Sequence, residues 1–436
     1  MSILLFDALS KVMISLIGVV GAMVIAFSYR YMSFEQRYYL FFARIGMLLV
    51  SVGLLVCANY LPLFFVAWVS SNLLLVQLIK TNDAWSAAVE SSRRAMRSFM
   101  LGFLCMGIAF SIIGYLSSSY FISEIAFVPH WLSILALGLL LVTAMIQSAI
   151  WPFNSWLLSS LNSPTPVSAF MHAGLVNGGG FLIVRFAHLY VQVPMLLYVM
   201  LALGIASALA GIFFKLIQTD VKRMLACSTM AQMGFVLVQC GSGLFSAAIA
   251  HLCWHGVFKA YLFLSSSTVE YTQHKSVSKM SLQLFMGAVL IGFLGMMVFA
   301  YGHSFMFYNS TALVLLTVAG IASTQMALTM LQSTQAFSVV IATLCATLLA
   351  WFYAVIDMSL EHVLSKSLVA VYPLSSIHVI IIAALVISWI CMVFSSQLAR
   401  VPVLYRLFVR LYVWAVRASM PDHKTVTVDR GNYRYK

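Results

Sequence analysis

The chain has 436 residues, 63% of them hydrophobic and only 8% charged. A soluble domain is roughly half apolar and about a quarter charged, so no water-soluble core could hide this much apolar surface; a soluble enzyme, a disordered chain and a secreted disulfide scaffold are excluded. The net charge of +13 therefore has to be tested as membrane topology before nucleic-acid binding is considered. Long unbroken apolar runs, rather than short alternating strands, indicate an all-α polytopic membrane protein and not a membrane β-barrel.

A helix needs about 20 apolar residues to cross roughly 30 Å of hydrocarbon. Windows of that length predict spans at 12–29, 39–59, 61–80, 98–117, 130–161, 165–189, 194–217, 220–241, 245–267, 281–302, 310–331, 334–356 and 376–397, thirteen in all. The first run lacks a small-residue cleavage site and reads as a retained helix, not a signal peptide. The seven cysteines (57, 105, 227, 240, 253, 345 and 391) are scattered through apolar runs without a CxxC pair, so neither a disulfide framework nor a zinc site is indicated. One membrane domain over 1–397 and a basic tail over 398–436 are expected.

Basic residues supply orientation. Arg30, Arg37, Lys80, Arg93, Arg94, Arg97, Lys215, Lys222, Arg223, Lys275, Lys279 and eight tail residues fall on one side, against Lys11 and Lys366 on the other. The positive-inside rule then places the N-terminus outside and the C-terminus in the cytoplasm. The tail from Arg400 to Arg417 interleaves arginines with aromatic and aliphatic residues, as an interfacial helix on an anionic lipid leaflet does. Surface anchoring is the favoured reading, with docking of a cytoplasmic partner as the alternative. Residues 82–97 are a smaller stretch of the same kind.

The fifth span contains Gln147 one turn before Pro152, which removes a backbone donor. Freed carbonyls are tolerated in hydrocarbon only where they face protein or water, and interrupted helices build ion sites in transporters. Ser163-Pro164-Thr165-Pro166 forms a tight turn with its second proline at a helix start, and Gly178-Gly179-Gly180 allows close helix approach. The alternative for Pro152 is a simple kink.

No acidic residue falls inside a predicted span. In the ninth, His251, His255 and Lys259 lie four residues apart on one helical face, about 6 Å per step. Lys259 lies about 12 Å from the inner end, where burial disfavours its charged form, so it can load and release a proton. Either the three form a proton relay, or they are hydrogen-bonded core residues with Lys259 as a structural bridge. His172, beside the broken segment, is a packing residue or part of the same path. Arg44 and Arg185, near span ends, are expected to snorkel. Asp220, with Lys222 and Arg223, caps the eighth span or takes up protons at the cytoplasmic surface.

Trp151-Pro152-Phe-Asn-Ser-Trp156, Ser163-Pro-Thr-Pro166 through His172, and Asp220-Val-Lys-Arg223 through Gly234 resemble the antiporter-like subunits of respiratory complex I and Mrp-type cation antiporters, over about residues 7–305. The resemblance implies an antiporter-like fold with broken helices and inverted repeats, although no sequence-level repeat is evident. It places His251, His255 and Lys259 on a central hydrophilic axis. Departures from the family pattern are Val69 in place of a glutamate, Gln147 in place of a lysine, His303-Ser304 where the distal lysine or glutamate near a helix break is expected, and the lack of the helix that should precede the first span by two. Asn177-Gly-Gly-Gly180, Gln232 to Gly241 and His255 to Ser266 are similar to the DabB branch, the membrane subunits of inorganic-carbon accumulation complexes.

That branch implies H⁺ or Na⁺ flow through Lys259, His255, His251, His172, Gln147, Asn177, Asp220 and Lys222, beside helix breaks at Pro152, Pro164 and Pro166. It implies no catalytic or metal site in this chain, and a soluble cytoplasmic DabA-type partner with a zinc site like that of β-carbonic anhydrases, hydrating CO2 to bicarbonate. It also implies residence in a bacterial cell inner membrane. A subunit of a cation/proton antiporter or hydrogenase-linked pump, and a non-conducting scaffold for a soluble partner, are the alternatives.

Overall fold

The computed structural model describes residues 2–81, 83–126, 130–266, 281–303, 311–332, 338–364, 374–398 and 400–426. The expectations for Asn82, Lys275, Lys279, Ser304, Lys366, Arg430, Arg434 and Lys436 lie outside the described residues. The architecture is all α. In chain order the helices are α1 (Ala8–Tyr31), α2 (Tyr38–Cys57), α3 (Leu61–Ile79), α4 (Ser86–Ser117), α5 (Trp131–Gln147), α6 (Ser155–Leu158), α7 (Thr165–Phe170), a π-helical turn at Met171–Leu175, α8 (Asn177–Arg185) and α9 (Ala187–Tyr190). They continue as α10 (Pro194–Ile217), α11 (Val221–Gly241), α12 (Phe245–Leu264), α13 (Leu282–Gly302), α14 (Leu313–Leu331), α15 (Ser338–Leu364), α16 (Ser376–Val393), α17 (Ser395–Leu398) and α18 (Pro402–Ser419).

Twelve of the described segments are long and apolar enough to cross a membrane, with α7, the π turn and α8 counted as one. The expected fifth span is the exception: its helical part, α5, has 17 residues and stops at Gln147. α4 starts at Ser86, so residues 86–97 continue a 32-residue helix and are not a separate surface stretch. α15 also runs past its expected end at 356 to Leu364, which carries Asp357 into a spanning helix, 2% exposed. The expectation that every acidic residue lies outside the spans is therefore corrected: hydropathy marks where apolar residues stop, not where the backbone ladder stops.

Two compact units make up the chain. The first combines Met1–Gly241, His251–Val269 and Trp414–Lys436; the second combines Ser242–Ala250 and Glu270–Val413. In the first, Phe64 is fully buried and stacks with Trp68 and Phe181, at 6.1 and 6.3 Å between ring centroids, which seats α3 against α8. In the second, Phe299, Ala300, Leu315, Ala350 and Ala354 form a core between α13, α14 and α15.

α10 and α11 approach more closely than large side chains would permit. A Cβ on Gly211 would lie 2.5 Å from the Ala231 nitrogen, and one on Gly204 would lie 2.7 Å from the Gly234 oxygen. Without a hydrophobic force between helices in lipid, such backbone contact supplies the packing. Gly211→Leu should therefore force the pair apart and lower the melting temperature of the detergent-solubilised protein by several degrees, whereas Gly46→Leu, at a position with open space around the Cβ, should leave it unchanged.

Candidate ion-translocation site

The site starts from an interrupted helix. α5 ends at Gln147, Ala149 takes a left-handed φ of 51°, the Trp151–Pro152 bond is cis, and a single helical turn resumes at Ser155. A left-handed alanine costs roughly 1–2 kcal/mol, so its surroundings must hold it. The Trp156 indole donates to Ile146 O at 2.8 Å, and the Trp151 amide donates to Ser207 Oγ at 3.1 Å.

The neighbouring segment is interrupted too. At Met171–Leu175 the ladder widens to a π turn, with the Val176 amide donating to Met171 O at 3.1 Å. π turns inside α-helices release carbonyls and recur at functional sites. The break in α5 docks on this segment: Gln147 Nε2 donates to Leu175 O at 3.0 Å, and Ser148 Oγ to Val176 O at 2.7 Å. The glycine triplet permits this approach, since a Cβ on Gly179 would lie 2.2 Å from Ala144 O.

α12 lays its ladder beside the π turn. His255 Nε2 is 3.2 Å from His172 O, and the His251 and His255 rings are 6.3 Å apart between centroids. His172 and His255 are buried, whereas His251 is half-buried. Asn177 Nδ2 donates to Ala173 O at 2.9 Å and to Leu252 O at 3.2 Å, tying the π segment to α12; its Oδ1 is buried without a protein hydrogen-bond partner.

Lys259 is 1% exposed, and its Nζ donates to Leu225 O on α11 at 3.1 Å. Thr229 Oγ1 donates to that same carbonyl at 3.0 Å and lies 3.1 Å from His172 Nδ1. A threonine hydroxyl has one proton; with that proton on Leu225 O, His172 Nδ1–H is the donor to Thr229. His172, Thr229, Leu225 O and Lys259 thus form one connected network. The His172 ring stacks on Phe263 at 4.3 Å. Asp220 caps α11, accepting from the Arg223 amide at 2.8 Å, and Lys222 lines the same end of that helix.

The structure therefore gathers His172, Gln147, Asn177, His251, His255 and Lys259 around the two breaks, with Asp220 and Lys222 at the foot of α11. Thr229 and the Leu225 carbonyl were absent from the sequence reading. Thr229, in the quoted stretch from Asp220 to Gly234, was the only signal; the carbonyl had none. Two further polar pairs were also missed. Arg185 does not snorkel: its side chain is 4% exposed, and it donates to Asp7 at 2.7 Å, Ser10 Oγ at 2.8 Å and Val56 O at 2.8 Å. In the second unit His303 Nε2 lies 2.9 Å from Asp357 and 3.5 Å from Glu361. Among the described residues no three His, Cys, Asp or Glu side chains come close enough to hold a metal ion.

These features define a multi-pass membrane protein whose interrupted helices enclose buried basic side chains. Residues 58–304 match the family described as NADH:quinone oxidoreductase/Mrp antiporter, transmembrane, and residues 3–42 match the family described as NADH-ubiquinone oxidoreductase (complex I), chain 5 N-terminus. The chain belongs to the NADH:quinone oxidoreductase/Mrp antiporter transmembrane family. It is similar to the "Probable inorganic carbon transporter subunit DabB" of Bacillus subtilis, 32% identical over 60% of this chain and 53% of that one. It is similar as well to the "Probable inorganic carbon transporter subunit DabB1" of Halothiobacillus neapolitanus, 33% identical over 64% of this chain and 52% of that one. The chain thus spans about half the length of these relatives. The Mrp complex from Dietzia sp. shares the fold, with a TM-score of 0.59 at 21% identity, covering 98% of this chain and 53% of that one.

Two outcomes test the polar pairs. Burial alone would raise the Asp7 carboxyl, but the Arg185 charge and hydrogen bonds from Ser10 outweigh it and hold it below its usual range. A depressed carboxyl stabilises the fold above its unfolded pKa of about 4 and loses that contribution as pH falls through the folded value. Melting of the unaltered protein should therefore decline below about pH 4 more steeply than that of Asp7→Asn. For the second pair, removing one partner of a buried ionic contact costs about 3–5 kcal/mol. His303→Ala should thus melt lower than His303→Ala/Asp357→Ala, and simple additivity in the double variant would show the pair uncoupled.

Proposed function

We propose that this chain is the ion-conducting membrane subunit of an inorganic-carbon accumulation complex. H⁺ or Na⁺ passes inward along His251, His255 and Lys259, with His172, Gln147 and Asn177 lining the path and Asp220 and Lys222 at its cytoplasmic end. The flow drives hydration of CO2 to bicarbonate in a soluble, zinc-containing DabA-type partner on the cytoplasmic side. The membrane is the bacterial inner membrane, with the N-terminus outside, as the asymmetry of basic residues supports.

One observation carries this reading. Lys259 is buried at 1% exposure, and its Nζ donates to a main-chain carbonyl, with no carboxylate paired to it among the described residues. A protonated lysine there costs several kcal/mol, whereas a neutral one is tolerated, so the position suits transient protonation. A carbonyl stabilises the ammonium without fixing it, as a carboxylate would. Gln147 and Asn177 are neutral hydrogen-bonding elements, and the break before Pro152 and the π turn at Met171–Leu175 open the backbone beside them, with Pro164 and Pro166 at the start of α7. One charge moving down a membrane potential gains about 2.3 kcal/mol per 100 mV, enough for a few charges to bias a coupled hydration step. The names of the relatives support the carbon substrate, and the family supports cation movement.

Lys259→Met keeps the length and apolar volume of the side chain and removes its charge. It should abolish growth at ambient CO2 and reduce proton or sodium flux in proteoliposomes at least tenfold, while the variant still co-purifies with its partner subunit. Normal growth of an assembled Lys259→Met complex would remove this residue from the mechanism; sodium- or redox-dependent phenotypes without a CO2 phenotype would move the chain to the antiporter class.

A further inference from the structure

Residues 414–426 of the basic tail pack on the membrane domain. Within the first unit, Trp414 packs on Phe214 at 5.3 Å between ring centroids, and Ala415 is fully buried. Gln218 Nε2 donates to Ser419 Oγ at 2.9 Å. Asp422 pairs with Arg94 of α4, and Asn162 Nδ2 donates to Thr425 O at 2.5 Å. Thr425 is 4% exposed although it lies only eleven residues from the end of the chain.

This segment covers a cavity of mixed lining, with Leu158 and Leu161 among its walls beside polar groups. Pro421, Thr425 and Val426 roof this cavity of about 210 Å³ whose walls include Ser159, Asn162, Asp220, Lys222 and Arg223. That volume has room for several waters. Ser159, 2% exposed, has its hydroxyl buried without a protein hydrogen-bond partner. The floor is the first turn of α11, and two residues beyond Arg223 comes Leu225, whose carbonyl receives Lys259.

We propose that residues 414–426 are a strap that closes a cytoplasmic vestibule leading to Lys259, and that its release admits water and ions to that lysine. The proposal rests on the conduction reading above. Trp414 and Ala415 anchor the strap at its start, whereas beyond them one ion pair and two side-chain hydrogen bonds hold it, and such local contacts open without global unfolding. Its ties reach α4, the turn before α7 and the end of α10, so a partner that pulls on the tail would act on the vestibule directly.

Accessibility tests the strap whether or not the chain conducts. Ser159→Cys places a thiol in the cavity wall, and inside-out membrane vesicles present the cytoplasmic face to a water-soluble maleimide. Labelling of the unaltered chain measures the contribution of the native cysteines. Adding Asp422→Lys, which sets like charges against Arg94, should speed labelling of the new thiol about tenfold. The same substitution at Asp83, whose exposed pair with Arg37 stands apart from the cavity, should not. Asp422→Lys should also raise passive ion flux in proteoliposomes at least threefold. Equal labelling rates with and without Asp422→Lys overturn the strap, and faster labelling with unchanged flux overturns its gating role. A flux that Lys259→Met leaves untouched, with labelling still responsive, overturns instead the conduction reading beneath it.

Discussion

Inside an oily bundle every backbone N–H and C=O needs a partner, because lipid supplies none and an orphaned group costs several kcal/mol. Much of the first unit follows from this constraint. A helix that breaks at Gln147–Pro152 can persist only if its loose ends find partners: the Ile150 and Ala149 amides turn back to Met145 O and Ile146 O, and the side chains at the break reach the π segment around Met171–Leu175. Gln147 and Ser148 spend their side chains on Leu175 O and Val176 O, and Trp156 closes on Ile146 O. Two defects, each costly alone, are stable as a pair. The polar ground they create is where α12 can bring His255 to a main-chain oxygen.

The buried ionisable groups divide by how they are partnered. Arg185 is held by a carboxylate, a hydroxyl and a carbonyl together, and His303 by Asp357. Such groups are fixed: moving the charge would strand its partner in a medium that does not solvate it. Lys259 is different in kind. Its contact is a neutral carbonyl, which is satisfied by Thr229 with or without it. Loss of a proton from Lys259 leaves no uncompensated carboxylate behind, and regaining it disturbs no ion pair. A group meant to change charge should be held in this way, whereas a group meant to tie helices together should be held as Arg185 is.

Helix positions were legible in the sequence because hydropathy reports burial in lipid directly, and the break at Pro152 because proline cannot complete the ladder. The ladder His251–His255–Lys259 was legible because its spacing is local. What escaped was nonlocal or backbone-borne. Asp7 and Arg185 are 178 positions apart, so nothing in the arginine's own apolar run reveals its partner, and snorkelling was the natural expectation. Asp357 was lost at a boundary, since the apolar run fades just before it while the helix continues for another two turns. The π turn leaves no compositional mark, because residues of α-helical character fill it and only the register of hydrogen bonds changes. Leu225 looks like any other apolar helix residue; its carbonyl, not its side chain, makes the contact to Lys259.

The network also constrains how a proton could move. Leu225 O takes part in the α11 ladder, and the Thr229 hydroxyl and Lys259 Nζ approach the same oxygen from the side. Thr229 has given its single proton to that carbonyl, so it receives from His172 and cannot donate back unless it rotates.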